Sequence, residues 1–144
     1  MVNAMNGAEG GRGKKGVPTP TDGELAILRV LWEEGPSTVR QVHEQLAREA
    51  VKGAGTGYTT TLKLMQIMTE KGLVTRDDAQ RTHVYAAAQP AQTTQRAIVK
   101  DLLDKAFAGS AANLVLQALS AKRATLEELA EIRKLLDEYQ KGKS

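Results

Sequence analysis

The sequence predicts a mainly α-helical protein with a small β wing: a winged helix-turn-helix DNA-binding domain followed by a helical dimerisation domain. Three observations lead to this fold class. Aromatic residues make up 3% of the 144 residues and hydrophobic residues 41%, so the core must consist of aliphatic side chains, a composition that favours helices. Apolar residues recur at helical spacing over most of the chain. Between residues 73 and 87, two short runs indicate the strands of a hairpin.

The chain divides into three predicted segments. Residues 1–20 contain five glycines and two prolines with almost no apolar side chains. Such a segment cannot bury enough surface to order itself, so we expect a flexible tail. Residues 21–88 form the predicted winged-helix domain, and residues 89–144 form the predicted dimerisation domain. The cations of the tail could touch DNA phosphate or aid solubility, of which the second is favoured; they are Arg12, Lys14 and Lys15.

The first two helices have clear start and stop signals. Thr21 and Glu24 form a capping box, and the Gly-Pro pair at 35–36 ends the first helix. After a short extended piece, the second helix covers residues 39 to about 50, and a flexible turn at 52–57 follows. The predicted buried side of the second helix consists of Val39, Val42, Leu46 and Ala47.

The stretch from Gly57 to Lys71 is predicted to be an amphipathic helix with two dissimilar faces. One face requires a core and holds Thr61, Leu64, Met65 and Met68. The other face is rich in short polar side chains, which can hydrogen-bond base edges and phosphates; its members are Thr59, Lys63, Gln66 and Glu70. We interpret this stretch as a recognition helix in a DNA groove. The alternative is a partly buried helix whose threonines cap its start.

A β-hairpin follows the third helix and completes the order of elements of a winged helix-turn-helix. Its strands are predicted at residues 73–77 and 82–87, with a turn between them. Arg76 and Arg81 flank the turn, where they are expected to meet phosphates or the minor groove. Ordinary solvated turn arginines are the alternative. For Arg40 on the second helix, a backbone contact and a solvated position are equally favoured.

Three apolar helices are predicted after Pro90, at residues 93–108, at 111–119 and from a capping box at Thr125 to a point before Gly142. Their apolar stripes are too rich for a solvated tail, and about 45 residues are near the lower limit for an independent core. Packing against a second copy would bury these stripes, and a two-fold dimer suits a helix-turn-helix that reads paired half-sites. The predicted dimer contacts are Leu102, Leu103, Phe107, Leu114, Leu126, Leu129, Ile132 and Leu136.

Composition and motifs argue against catalysis and cofactors. The chain has no cysteine, which excludes thiolate metal sites, disulfides and cysteine catalysis. His43 and His83 have no apparent third metal ligand, and the turn at 52–57 lacks the Gly-Lys-Ser/Thr ending of a P-loop. We therefore expect no enzyme, no cofactor and no metal. The net charge of +3 is compatible with nucleic acid, although the charges are not segregated between the two halves.

The cellular location is inferred from what the sequence lacks. No run of about 18 apolar residues is present, so we expect no membrane insertion. The N-terminus has no apolar stretch of the kind found in a signal peptide. The absence of cysteine fits a cytoplasmic protein.

Several short pieces of the sequence occur in a specific order. They are TDGELAIL (21–28) with Leu31-Trp32, VRQV (39–42), GYTT (57–60), MQIMTEKGL (65–73), RTHVY (81–85), LVL (114–116) and LEELAEIRKLL (126–136). Each piece is weak by itself, but together they resemble the penicillinase-repressor family of bacterial transcription regulators, of the BlaI/MecI/CopY type. The resemblance covers about residues 20–140.

The resemblance implies a homodimer that represses genes. Its winged helix would bind an inverted-repeat operator, and its C-terminal helices would dimerise. Thr59, Thr60 and Lys63 match the DNA-facing positions of the family. Some relatives carry an arginine late in the recognition helix, where this chain has Ile67, so its base preference is expected to differ.

The resemblance also raises the possibility of control by proteolysis. In some members a membrane-bound sensor protease triggers cleavage of the repressor in the short helix. The corresponding run here is residues 114–118, with the bond between Gln117 and Ala118, although the Asn-Phe pair of the family is absent. Copper-responsive members use C-terminal cysteines, which this chain lacks. The inducing signal is therefore not indicated by the sequence.

Two other functions fit the same architecture. A winged helix can serve as a protein-interaction module without specific DNA binding, and changes at Lys63 would then be tolerated. A small-molecule sensor would need a pocket with convergent polar groups, and the few aromatic and polar candidates argue against one. The operator sequence, the target genes, the start codon and any contribution of the tail to DNA binding are not indicated by the sequence.

Overall fold

The structure of the chain is a computed structural model that describes residues 17–49 and 57–143. The predicted tail up to residue 16 and the turn at 52–56 lie outside the described residues, as does residue 50. The described elements are α1 (Asp22–Glu34), α2 (Val39–Glu49), α3 (Tyr58–Lys71), β1 (Val74–Asp77), β2 (Val84–Ala87), α4 (Ala91–Ala106), α5 (Ala111–Ala121) and α6 (Leu126–Lys143). The two strands pair antiparallel. The predicted fold class, mainly α with a small β wing, is confirmed.

α1 begins and ends where the sequence signals indicate. The backbone N–H of Thr21 donates to Glu24 Oε1 at 2.9 Å, and the backbone N–H of Glu24 donates to Thr21 Oγ1 at 3.3 Å, so the predicted capping box is present. At the other end, Gly35 adopts φ 83° and ψ −171°, a conformation nearly restricted to glycine. Its N–H donates to the carbonyl of Leu31 at 2.9 Å. Together these contacts set the length of α1.

The chain between α1 and α2 pairs with the wing. The N–H of Ser37 donates to the carbonyl of Tyr85 at 2.9 Å, and the N–H of Tyr85 donates back at 2.8 Å. Thr38 and Gln41 then form a reciprocal cap at the start of α2, with distances of 2.9 and 3.2 Å. The predicted short extended piece is thus the link that holds the wing against the start of α2.

One apolar core holds α1, α2, α3 and the wing together. Its buried side chains are Ile27, Leu28, Val30, Leu31, Val39, Val42, Met65, Met68, Leu73, Val74 and Tyr85. Tyr85 on β2 is among the largest fully buried side chains, at 1% exposure, and lies opposite Arg76 in the strand register. The wing is therefore fixed by its own core residues and not by backbone pairing alone.

Several element ends differ from the prediction. Strand β1 begins after Leu73, because the N–H of Leu73 closes the end of α3 by donating to the carbonyl of Met68 at 2.9 Å. The predicted burial of Ala47 is wrong: this residue is exposed, since it lies about 100° around α2 from the side that packs. α4 begins and ends two residues earlier than predicted, and α6 continues past Gly142.

The chain forms two compact units that divide after Asp101. The first unit contains the core described above. In the second unit, no side chain among residues 102–142 is buried. A capping box between Thr125 and Glu128 starts α6, as predicted, with distances of 2.9 and 3.0 Å. No helix in the described part of the chain is long and apolar enough to cross a membrane.

Candidate nucleic-acid interface

The outer face of α3 carries the four DNA contacts predicted for this helix. The inner face is packed into the core through Thr61, Met65 and Met68, each at 0% exposure, which fixes the rotation of the helix about its axis. The side chains that consequently face outward are Thr59, Thr60, Lys63 and Gln66, with Ile67 and Glu70 beside them. These residues therefore lie on a surface that a DNA groove can reach.

The start of α3 separates threonines with different roles. The N-cap residue is Gly57, which makes no side-chain hydrogen bond to the helix. The buried hydroxyl of Thr61 donates to the carbonyl of Gly57 at 3.4 Å. Thr59 and Thr60 are exposed and make no side-chain hydrogen bond within the described ranges. Their hydroxyls remain available to an external partner, whereas that of Thr61 is committed to the fold.

An ion pair ties the far end of α3 to α1. The Nζ of Lys71 lies 2.9 Å from Oε1 and 2.8 Å from Oε2 of Glu24, whose carboxylate is only 2% exposed. Burial acts to raise the pKa of Glu24, but hydrogen bonds from Lys71 and Thr21 outweigh it and leave the pKa below its usual value. Glu24 therefore caps α1 and anchors α3. The second role has no local sequence signal, since the partners are 47 positions apart.

Arg40, Tyr58 and His43 form a cluster where α2 and α3 begin. The guanidinium carbon of Arg40 lies 5.9 Å from the centroid of the Tyr58 ring. The ring of His43 meets Tyr58 edge to face at 5.6 Å between centroids, and its Nδ1 lies 3.3 Å from Oγ1 of Thr61. Arg40 was predicted from sequence, but Tyr58 had no assigned role. The signal that could have found it is its position directly before the two threonines predicted to face DNA.

The two wing arginines have different surroundings. The Nε of Arg76 lies 2.8 Å from Oδ1 of Asp78. Hydrogen bonds to the side chains of Tyr85 and Asp78 raise the pKa of Arg76 above its usual value. Arg81 is exposed and makes no hydrogen bond or ion pair with the described residues. The charge of Arg76 is thus balanced inside the wing, whereas the charge of Arg81 is open to an external anion.

A groove of about 340 Å³ lies between the start of α2, the start of α3 and the wing. Arg40, Tyr58 and Arg81 line it, together with the hydroxyl residues Thr38 and Thr82. None of its described lining residues is acidic. The groove therefore brings together two of the three arginines predicted to contact DNA, and the third, Arg76, does not line it.

Both histidines lie close to other side chains in the part of the chain that the structure describes. No group of three or more His, Asp or Glu side chains there could hold a metal ion. The Nε2 of His83 lies 3.6 Å from Oδ1 of Asp78, and His43 faces Tyr58 and Thr61. Each histidine therefore contacts side chains of the first unit.

Comparison with known proteins gives the family. The sequence model of the penicillinase repressor family matches residues 20–138. The chain belongs to this family. It is 22% identical to the penicillinase repressor of Bacillus licheniformis over 129 residues, 90% of this chain and 98% of that protein. It is 29% identical to the transcriptional regulator BlaI of Mycobacterium tuberculosis over 122 residues, 84% of this chain and 85% of that protein. A solved complex of hsRosR-S4 covers 87% of this chain and 93% of its own, at 17% identity and a TM-score of 0.49.

The penicillinase repressor family is one of transcriptional repressors and not of enzymes. The family resemblance found in the sequence is therefore confirmed.

In this member, the predicted dimer contacts are open to solvent to different degrees. Leu126 is 82% exposed, Leu136 62% and Leu102 44%. The others are half-buried; they are Leu103, Phe107, Leu114, Leu129 and Ile132.

The possible cleavage site lies within a helix. Gln117 and Ala118 are both exposed on α5, an 11-residue helix that starts from the cap of Ser110. A protease that binds its substrate in extended form would have to unwind this part of α5. Exposure alone therefore does not make this bond a ready substrate, and cleavage stays a prediction from the family resemblance.

Proposed function

We propose that this chain binds an inverted-repeat operator as a homodimer and represses transcription there, with α3 as its recognition helix. The observation that carries the proposal is the division of its exposed surface. The first unit exposes polar and cationic side chains on α3 and the wing, whereas the second exposes large apolar ones. The first surface suits DNA, and the second suits another copy of the chain.

The recognition helix would read bases through short polar groups. The hydroxyls of Thr59 and Thr60 and the amide of Gln66 can hydrogen-bond base edges in the major groove. Lys63 lies on the same face and makes no ion pair with any described residue, so it can meet a phosphate or a guanine. Ile67, 37% exposed, adds an apolar side chain of the kind that contacts a thymine methyl group.

Phosphate contacts would supply most of the affinity. Arg40 and Arg81 are exposed cations without acidic partners in the described ranges. Each phosphate neutralised contributes about 0.9 to the slope of log affinity against log salt. A dimer that uses two or three cations per protomer should therefore lose operator affinity steeply as salt rises. The low net charge of +3 is compatible with such phosphate contacts, because they depend on where the cations lie on the surface and not on the net charge of the chain.

The dimer would be formed by the second unit. Eight large apolar side chains beyond Asp101 are exposed; they are Leu102, Val115, Leu116, Leu119, Leu126, Leu135, Leu136 and Tyr139. This many exposed apolar side chains in one small unit support an association surface there. A second copy is the partner that an inverted-repeat site requires, since the protein symmetry must match the DNA symmetry. A DNA partner further implies a cytoplasmic protein.

Selection of bound sequences from a random pool of duplex DNA tests this proposal. We expect enrichment of an inverted repeat with half-sites about 10 base pairs apart, or a multiple of that, as two-fold related recognition helices require. The enriched duplex should bind much more tightly than a scrambled duplex of equal length at the same salt. A pool that shows no enrichment would contradict the proposal and favour a winged helix that binds another protein.

A further inference from the structure

We propose that Tyr58 is a positioning residue that holds Arg40 towards the wing, so that Arg40 and Arg81 bind one stretch of DNA backbone in the groove between them. The inference deepens the proposed function and rests on it. It assigns Tyr58 a role in phosphate binding and removes Arg76 from the set of phosphate contacts.

The ring of Tyr58 limits where the charge of Arg40 can go. Arg40 is the second residue of α2, and a free arginine there could take many orientations. Its guanidinium carbon lies 5.9 Å from the centroid of Tyr58. The ring also contacts His43 edge to face, at 5.6 Å between centroids. Because a cation over an aromatic face is attracted to it, this arrangement reduces the freedom that Arg40 would lose on binding phosphate.

The wing brings a second cation to the same groove. Arg81 lines the groove with Arg40 and Tyr58, and the groove has no acidic lining residue within the described ranges. Two guanidinium groups without anions repel one another, and an anion between them would relieve the repulsion. The hydroxyls of Thr38 and Thr82 line the same groove and can donate to phosphate oxygens. A row of backbone phosphates on duplex DNA meets all of these requirements.

Arg76 lacks the properties of a phosphate contact. Its guanidinium binds Asp78 through two nitrogens, with Nε 2.8 Å from Oδ1 and Nη2 3.3 Å from Oδ2. A phosphate would have to displace or approach the Asp78 carboxylate, which has like charge. Arg76 therefore stabilises the shape of the wing, and this leaves Arg81 as the wing cation that reaches DNA.

A double-mutant cycle tests the role of Tyr58, using the operator selected by the parent protein and a scrambled duplex. Arg40→Ala should lower the salt slope by about 1.8 for a dimer, at about 0.9 per phosphate contact, and weaken binding to both duplexes. Tyr58→Leu should do the same in part. In the Arg40→Ala background, however, Tyr58→Leu should change affinity by less than about twofold, because the residue acts through Arg40.

Tyr58→Phe is the matched control, because it keeps the ring and removes the hydroxyl. It should bind within about twofold of the parent with an unchanged salt slope. A loss with Phe as large as with Leu would mean that the hydroxyl itself contacts DNA and would overturn the proposal. An equal effect of Tyr58→Leu in both backgrounds would overturn it too. Unchanged thermal unfolding of each variant excludes a merely structural cause.

The wing is tested with two charge changes. Arg81→Ala should lower the salt slope as Arg40→Ala does. The double change Arg76→Gln with Asp78→Asn removes the internal pair without altering net charge, and it should leave the slope unchanged. If the double change lowered the salt slope as much as Arg81→Ala does, Arg76 would be a phosphate contact, and the assignment of Arg81 as the wing cation that reaches DNA would be overturned. If the parent selects no operator, the proposed function itself fails; if it does and only these variants disagree, this inference alone fails.

Discussion

The two units of the chain treat their apolar side chains in opposite ways. The first unit buries eleven of them, including Tyr85, in one core, and it exposes mainly polar groups on α3 and the wing. The second unit, beyond Asp101, buries no side chain completely in its described residues. It holds eight of the eleven large apolar side chains that are exposed. The first unit has completed its core within one chain, whereas the second has an apolar surface still to be covered.

This difference shows which function each unit can supply. A unit with a closed core can present a fixed face, because packing determines which side chains of α3 point outward. A unit with uncovered apolar helices gains most from association, since each large side chain buried contributes about 1.5–3 kcal/mol. The contrast therefore predicts that substitutions in the two units separate: those in the second should affect pairing, and those in the first should affect recognition or stability.

The largest expected effect is on the dimer. Leu126→Asp combined with Leu136→Asp should raise the dimer dissociation constant at least a thousandfold. Each leucine that is no longer buried costs about 1.5 kcal/mol or more in the free energy of association, and the dimer loses two of them from each protomer. These positions are 82% and 62% exposed, so the change costs the monomer little. Sedimentation should show monomers with unchanged helical content. Lys134→Asp on the same helix introduces the same change of two charges and should leave the dimer intact. A double variant that sediments as a dimer would place the interface elsewhere.

The next effect is on DNA recognition. Lys63→Ala should weaken operator binding about tenfold or more and lower the salt slope, since one cation per protomer is lost. Thr60→Val should reduce the preference for operator over scrambled DNA about tenfold. This corresponds to roughly 1.4 kcal/mol, which is within the range expected for the loss of one base contact. Titrations at two salt concentrations measure both effects.

Lys122→Ala, an exposed lysine of the second unit, is the control for Lys63. It should leave operator affinity and the salt slope unchanged within about twofold. If both Lys63→Ala and Thr60→Val bound operator as the parent does, the assignment of α3 as the recognition helix would be wrong.

Substitution of Gly35 should lower the stability of the first unit without altering the predicted DNA-contacting residues on α3 and the wing. Gly35→Ala is expected to cost about 1–3 kcal/mol in the free energy of unfolding, because φ 83° with ψ −171° strains any residue with a Cβ atom. The space around Gly35 is open, so no clash contributes. Gly57→Ala is the control: it has φ −73° and equally open surroundings, and it should change stability little. Chemical denaturation followed by the fluorescence of Trp32 reports on both, and equal losses would contradict this reading of Gly35.

The smallest expected effect concerns pH. The pKa of Glu24 is lowered in the folded chain, so this group stabilises the fold above its unfolded pKa of about 4.3, and the contribution is lost as pH falls through the lower folded pKa. Lys71→Met should cost about 1 kcal/mol at neutral pH, a modest value because Lys71 is 39% exposed and partly screened. Without Lys71, only Thr21 would oppose the effect of burial, which raises the pKa of Glu24. The pKa would then be lowered less in the folded chain, so the loss of stability as pH falls below the unfolded pKa should become smaller. A steeper loss in the variant would contradict the assigned cause.

Local signals made much of the fold predictable. The capping boxes at Thr21 and Thr125 were visible as residue pairs three positions apart, and both form. The two faces of α3 followed from its helical spacing, and the inner face is buried as expected. The order of the elements followed from such signals along the chain, and the structure shows the same order. Such features depend on neighbours in sequence, which is why they could be found there.

Features that depend on distant partners were not predictable. The pairing of Glu24 with Lys71, and the stacking of Arg40 on Tyr58, join residues from different helices. The difference between the wing arginines is only partly of this kind. Asp78 lies two positions from Arg76 in the sequence, whereas Tyr85 lies opposite Arg76 only once the strands pair. The roles of the predicted DNA-contacting and dimer residues stay predictions, since placement on a surface does not establish what binds there.

The most direct test of the central claim compares a complete operator with one whose second half-site has been scrambled. If the first unit reads DNA and the second pairs two readers, the parent protein should bind the complete operator at least about a hundredfold more tightly than the half operator. Leu126→Asp with Leu136→Asp should bind both duplexes equally, with the affinity that the parent has for the half operator. A double variant that still prefers the complete operator as strongly as the parent would contradict the account, because pairing would then not depend on the apolar surface of the second unit.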